Sequence, residues 1–121
     1  MTWKLDPDRP IYLQIIDRIQ TDIVTGVYPP GGQLPSVRAL ALEAGVNPNT
    51  LQKAMSELER SGLVESHRTS GRFVTTDEEK IRRLKESLVK QEIQTLLKKL
   101  KIYGLTKAEL IEYIERNEEE Q

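Results

Sequence analysis

No cysteine occurs in the chain, which removes disulfide frameworks, thiolate metal sites and thiol nucleophiles at one stroke. A single histidine, His67, leaves no histidine pair for a metal and has no recognisable nucleophile beside it, so it reads as a surface or phosphate-contacting residue. G-x-S-x-G, P-loop and dinucleotide fingerprints are missing as well, and Gly31 and Gly32 sit in PPGGQ, a turn rather than a phosphate cradle. The chain is therefore expected to be no enzyme and to need no cofactor or metal. No apolar run approaches a bilayer span, and the opening MTWKLDPDRP lacks the basic start and apolar stretch of a signal peptide. A cytoplasmic protein without a membrane partner is the expectation. An excess of positive charge is also lacking, since 18 Lys+Arg face 19 Asp+Glu for a net charge of -1. That balance weakens any long-range attraction to nucleic acid. Its distribution is uneven, however: residues 44 to 56 carry Lys53 and no acid, residues 66 to 76 carry His67, Arg68 and Arg72 and no acid, and acids gather in the tail NEEEQ. A local basic face on a neutral protein still attracts phosphate.

What is present is helical periodicity, over 121 residues that suit one compact domain with an appendage. Tyr12, Ile15, Ile16, Ile19 and Ile23 form one apolar stripe, which predicts a helix from about Pro10, at its first position, to Thr25, stopped by Gly26. YPPGGQLPS then breaks both helix and ladder and reads as a connector. Ser36 can cap a short helix with Val37, Leu40, Ala41 and Ala44 inward, and Gly45 suits the left-handed position after it. A third helix follows at once, with Asn47 as N-cap, Pro48 in the first turn, Leu51, Ala54, Met55 and Leu58 inward, and Gly62 past its end. Two helices joined by so tight a turn make a helix-turn-helix. LVESH and RFVTT can pair across a turn at Gly71, giving a β-hairpin, or wing.

A helix-turn-helix presents the start of its second helix to base edges in the major groove. Asn49, Thr50, Gln52 and Lys53 have the right chemistry at that end, and Ser56 and Arg60 continue the same outward face. Solvation alone would explain such a face on an isolated helix. The short helix before it and the basic hairpin after it favour duplex DNA instead, with Arg38 and Arg72 contacting the backbone or minor groove. The competing reading is a winged helix acting as a protein–protein adaptor, for which the Asn49-to-Arg60 face would be dispensable.

The stretch LPSVRALALEAGVNPNTLQKAMSELERSGLVESHRTSGRFV resembles the winged helix-turn-helix domain of GntR-type bacterial transcriptional regulators. The resemblance runs over almost all of residues 9 to 75. The P-S-x-R box is matched by Pro35, Ser36 and Arg38, the G-V turn by Gly45-Val46, the T-[VL] pair by Thr50-Leu51, and the A-[LM]-x-x-L stretch by Ala54, Met55 and Leu58. Gly62-Leu63-Val64 matches the G-[LIV]-[LIV] end. Asn47-Pro48 replaces a common Ser-Arg and Gln52 a common Arg, so two DNA-contacting arginines do not carry over. The N-P-N-T run is similar instead to the YtrA subgroup, with its basic residue at Lys53. At the wing, the family's G-x-G-T-F-V corresponds to residues 69 to 74, with the first glycine missing and Arg72 in place of Thr. The resemblance thus implies a DNA-binding set of Ser36, Arg38, Asn47, Asn49, Thr50, Gln52, Lys53, Ser56, Arg68, Gly71 and Arg72.

From Asp77 onward, Ile81, Leu84, Leu88, Ile93, Leu96, Leu97 and Leu100 form a broad apolar band predicting a helix over about 77 to 102. Gly104 breaks it, and Thr106 with Glu109 forms a capping box for a last helix bearing Leu110, Ile111 and Ile114. The expected fold class is mainly α with a small β-hairpin: a winged helix-turn-helix over residues 1–76 and a two-helix dimerisation appendage over 77–121. Two helices enclose too little space for the pocket of about 300 Å³ that a ligand normally needs, so no small-molecule effector is identified. Leu84, Leu88, Leu96, Leu100, Leu110 and Ile114 are the expected dimer contacts. The resemblance implies a homodimeric repressor on an inverted-repeat operator, with transporter operons as common targets.

Overall fold

In the computed structural model, which describes residues 3–117, five helices and one hairpin follow in the order α1 (Ile11–Val24), α2 (Val37–Ala44), α3 (Pro48–Arg60), β1 (Val64–His67), β2 (Gly71–Val74), α4 (Glu78–Lys101) and α5 (Lys107–Asn117). The acidic tail at 118–121 lies outside the described residues. The helix boundaries follow local chemistry. Ser36 Oγ accepts from the Ala39 amide at 3.1 Å and Asn47 Oδ1 from the Asn49 amide at 2.7 Å, so α2 and α3 both begin on a capped turn. Gly45, at φ +74°, reverses the chain between them in a conformation that a β-carbon would disfavour. Pro10 stands one position earlier than expected, as the N-cap of α1 rather than its first helical residue, because its ψ of 123° is extended. Asp77 Oδ1 accepts from the Lys80 amide at 3.1 Å and starts α4.

Two compact units divide the chain at Lys85/Glu86. In the first, Ile15, Ile19 and Ile23 of α1 meet Leu40 and Ala41 of α2 and Leu51, Ala54, Met55 and Leu58 of α3 in one core, closed by Leu34, Leu63, Val64 and Val74. Each large side chain there contributes about 1.5 to 3 kcal/mol by leaving water. Ile81 and Leu84, from the first turns of α4, pack on this same core. The first unit therefore runs past Asp77 into α4, and Leu84, expected at a dimer contact, packs within this unit against the winged-helix core.

The hairpin pairs Val64 with Val74 and His67 with Gly71 in antiparallel register. The connector contributes more than a turn. Gln33 bridges Phe73, the Leu34 amide donates to the Arg72 carbonyl at 2.9 Å, and the Val74 amide donates to the Gly32 carbonyl at 2.9 Å. Gly-Gly and the flanking prolines hid this third partner of the sheet, since one bridging residue leaves no periodicity. The N-terminal segment is also fixed: the buried Gln14 accepts from the Asp6 amide at 2.7 Å and donates to the Asp6 and Arg9 carbonyls. The Trp3 indole donates to Glu43 at 2.9 Å while Arg18 covers its ring.

The second unit holds the remainder of α4 and α5. Thr106 and Glu109 form the expected capping box, the Thr106 amide donating to Glu109 Oε1 at 2.9 Å and the Glu109 amide to Thr106 Oγ1 at 3.2 Å. No residue described in either helix is buried. Past Leu84 the apolar band is exposed or only partly covered.

Candidate nucleic-acid interface

The amides at the start of α2 and α3 have no carboxylate to answer them, since neither helix carries an acid in its first turn. A helix N-terminus left in this state attracts anions through its dipole and its free N–H groups. Capping does not use up the two cap residues: Ser36 and Asn47 accept amide hydrogens and still retain a hydroxyl and an NH₂ to donate. Arg38, exposed in the first turn of α2, has no ion-pair or hydrogen-bond partner for its side chain among the described residues.

On α3, Asn49, Gln52, Lys53 and Ser56 are exposed and Thr50 is half-buried, opposite the core residues Leu51, Ala54, Met55 and Leu58. Gln52 Nε2 donates to Ser56 Oγ at 3.3 Å, one turn on, which orients both along the same face. Lys53 has no carboxylate partner among the described residues; its Nζ lies 3.8 Å from the centroid of the Tyr12 ring on α1. Arg60, at the far end, is paired with Glu57. The cationic character of the face thus concentrates at its start.

The wing supplies Arg68 at its exposed tip and Gly71 at φ +105°, where an added β-carbon would come within 3.1 Å of Gln33 Nε2. Arg72 behaves differently from the other basic residues. Its Nε donates to Glu59 in the last turn of α3, with 22% and 30% of the two side chains exposed, so this arginine ties the wing to the helix that precedes it. One Nε leaves the rest of the guanidinium fork available. His67 stacks on Phe73 with ring centroids 4.4 Å apart and lies 3.8 Å from Glu65. Glu59, Tyr12, Gln33 and Phe73 escaped the sequence reading of the site; only the place of Phe73 in the wing motif pointed to it, and no local pattern marked the rest.

This geometry has counterparts among known proteins. A family model described as "Bacterial regulatory proteins, gntR family" matches residues 11–74, from the start of α1 to the end of the wing. The chain belongs to the GntR family. Among curated relatives, the uncharacterized HTH-type transcriptional regulator YhcF of Bacillus subtilis is 43% identical over 106 residues, covering 88% of each chain. The HTH-type transcriptional repressor YtrA of the same organism is 34% identical over 114 residues, covering 92% of this chain and 88% of its own. A solved GntR family transcriptional regulator from Listeria monocytogenes superposes with a TM-score of 0.86 at 36% identity, covering 93% of this chain and 98% of the other. Likeness to YhcF extends past the wing into α4, and likeness to YtrA and the Listeria regulator reaches α5 as well, which makes this GntR protein YtrA-like in its appendage as well as in its N-P-N-T turn. It is a DNA-binding transcriptional regulator with a winged helix-turn-helix.

Proposed function

We propose that this GntR regulator is a cytoplasmic homodimeric repressor that reads an inverted-repeat operator with the start of α3. The acid-free first turns of α2 and α3, set beside cations without acidic partners, carry this reading. Lys53 and Gln52 meet base edges, as do Asn49 and Thr50. Ser36, Arg38 and Asn47 hold the phosphate backbone at the helix N-termini, and Arg68, Gly71 and Arg72 follow it along the wing. Ser56 extends the base-reading face by one turn. No catalytic step and no cofactor belongs to this scheme.

Dimerisation follows from the second unit. Val89, Ile93, Leu96 and Leu97 of α4 and Ile111, Tyr113 and Ile114 of α5 are each more than a third exposed, and Leu88, Leu100 and Leu110 lie partly covered among them. An apolar band of that width is unfavourable in water and is covered by a second copy. Val89, Ile93, Leu97, Ile111 and Tyr113 join the expected contacts, while Leu84 packs on the winged-helix core. A two-fold dimer presents two α3 helices, so half-site centres fall about one helical turn, ~10 base pairs, or a multiple of it apart.

The test is selection of fragments bound by the full-length protein from the genomic DNA of its source, with affinities measured across salt concentration. Recovery of an inverted repeat, upstream of transporter operons first of all, with affinity falling steeply as salt rises, supports the proposal. Failure to enrich any sequence, with binding to duplex DNA absent at low salt, would return the protein to the adaptor reading.

A further inference from the structure

Lys53 is a long, flexible cation at an exposed site, yet its ammonium is localised over an aromatic ring 3.8 Å away on a different helix. We propose that Tyr12 is a specificity-determining positioning residue: its ring face holds the Lys53 ammonium in place for a guanine edge. The inference rests on Lys53 lying at the DNA-reading face, and goes beyond it by assigning a role to a residue of α1, outside the helix-turn-helix.

The physical reason is entropic. A free lysine side chain carries about 2 kcal/mol of rotamer freedom, and part of that is lost when it engages one base. A ring that already restrains the ammonium lowers the loss on binding, as any preorganised contact does. The ring covers one side of an ammonium that has three donors, leaving donors for O6 and N7 of guanine. Tyr12 can act in this way because its own position is fixed: it is half-buried on α1 and packs on the core formed with α3. Lys53, one turn into α3, meets no carboxylate among the described residues, so no acid competes for the ammonium. A purely structural Tyr12 would serve equally well as any apolar residue of similar size. A positioning Tyr12 requires an aromatic face.

Three variants of the full-length protein separate these roles: Tyr12→Phe, Tyr12→Leu and Lys53→Met. The probe is a duplex selected by the wild-type protein from a randomised pool, together with versions substituted at each guanine. Thermal unfolding of every variant accompanies the binding measurements. Tyr12→Phe should retain wild-type affinity and discrimination. Tyr12→Leu should lose about two- to fivefold in affinity, the equilibrium factor for an exposed cation–π contact, and lose it at one guanine position rather than uniformly. In the Lys53→Met background the same Tyr12→Leu change should have no effect on that position, as a double-mutant cycle requires. Equal losses for Tyr12→Phe and Tyr12→Leu, or an undiminished Tyr12→Leu loss in the Lys53→Met background, would overturn the proposal. A Lys53→Met protein with impaired discrimination beside a Tyr12→Leu protein with wild-type discrimination overturns it while sparing the reading of Lys53. Wild-type discrimination by Lys53→Met overturns both.

Discussion

Removing either partner of the Arg72–Glu59 pair should separate two functions that meet in one guanidinium. The side chains retain 22% and 30% of their exposure, which places the pair between a surface bridge and a buried one. Exposed pairs contribute up to about 1 kcal/mol, and breaking a fully buried one costs about 3 to 5. A loss of about 1 to 2 kcal/mol is expected for Glu59→Gln and for Arg72→Ala alike, as an intermediate case. For a unit of this size each kcal/mol lowers Tm by about 4 to 8 °C. DNA binding should then tell the two apart. If Arg72 makes the proposed phosphate contact, Arg72→Ala should flatten the dependence of log affinity on log salt by about 0.9, whereas Glu59→Gln leaves the guanidinium in place and should leave that slope unchanged. Thermal unfolding by circular dichroism and binding titrations at four or more salt concentrations give both quantities. If Arg72→Ala lowers Tm but leaves the salt slope at the wild-type value, Arg72 is a tether for the wing and makes no phosphate contact.

Leu58, 1% exposed in the core of α3, should cost about 2 to 5 kcal/mol when cut to alanine, read as a reduced denaturant midpoint with an unchanged m-value. Truncation after Lys85, which keeps Ile81 and Leu84 on the winged-helix core, should give a folded monomer, and Leu96→Glu should impair dimerisation of the full chain; sedimentation equilibrium checks both, and a dimeric truncation would misplace the interface. Glu109 is held below the ordinary glutamate value by the Thr106 amide and then by the Thr106 hydroxyl. Because the folded-state value is depressed, the contribution of this cap is complete above the ordinary glutamate range and is lost as pH falls through the lower value. Amide protection at the start of α5, with the intrinsic pH dependence of exchange divided out, should therefore fall on acidification, and Glu109→Gln should remove that dependence.

Much of the helix-turn-helix was legible because its determinants are local. Ser36, Gly45, Asn47 and Pro48 each fix a helix end through their own backbone or the next turn, and the apolar spacing of α1 and α3 orients both helices toward one core. Gln33 bridging Phe73, Gln14 fastening residues 6 to 9, Lys53 on Tyr12 and Arg72 on Glu59 were not legible. Gln14 reaches back five and eight positions and the other three join residues 13 to 41 positions apart, and nothing in either residue's neighbourhood announces the partner. The unit boundary within α4 was hidden for a related reason. Ile81 and Leu84 share the helical spacing of Leu88 and Ile93, and only the packing of the first two on the core of α1 and α3 distinguishes them.

The central claim is that the first turns of α3 read base sequence, and the direct measurement compares Gln52→Ala and Lys53→Ala with the wild-type protein on the selected operator and on duplexes mismatched at single positions. Both side chains are exposed and off the core stripe, so unfolding temperatures should stay near the wild-type value. Each substitution should weaken operator binding by about 1 to 3 kcal/mol for a lost bidentate base contact and should erase discrimination at its own position while sparing the others. Wild-type affinity and discrimination in both variants would contradict the account.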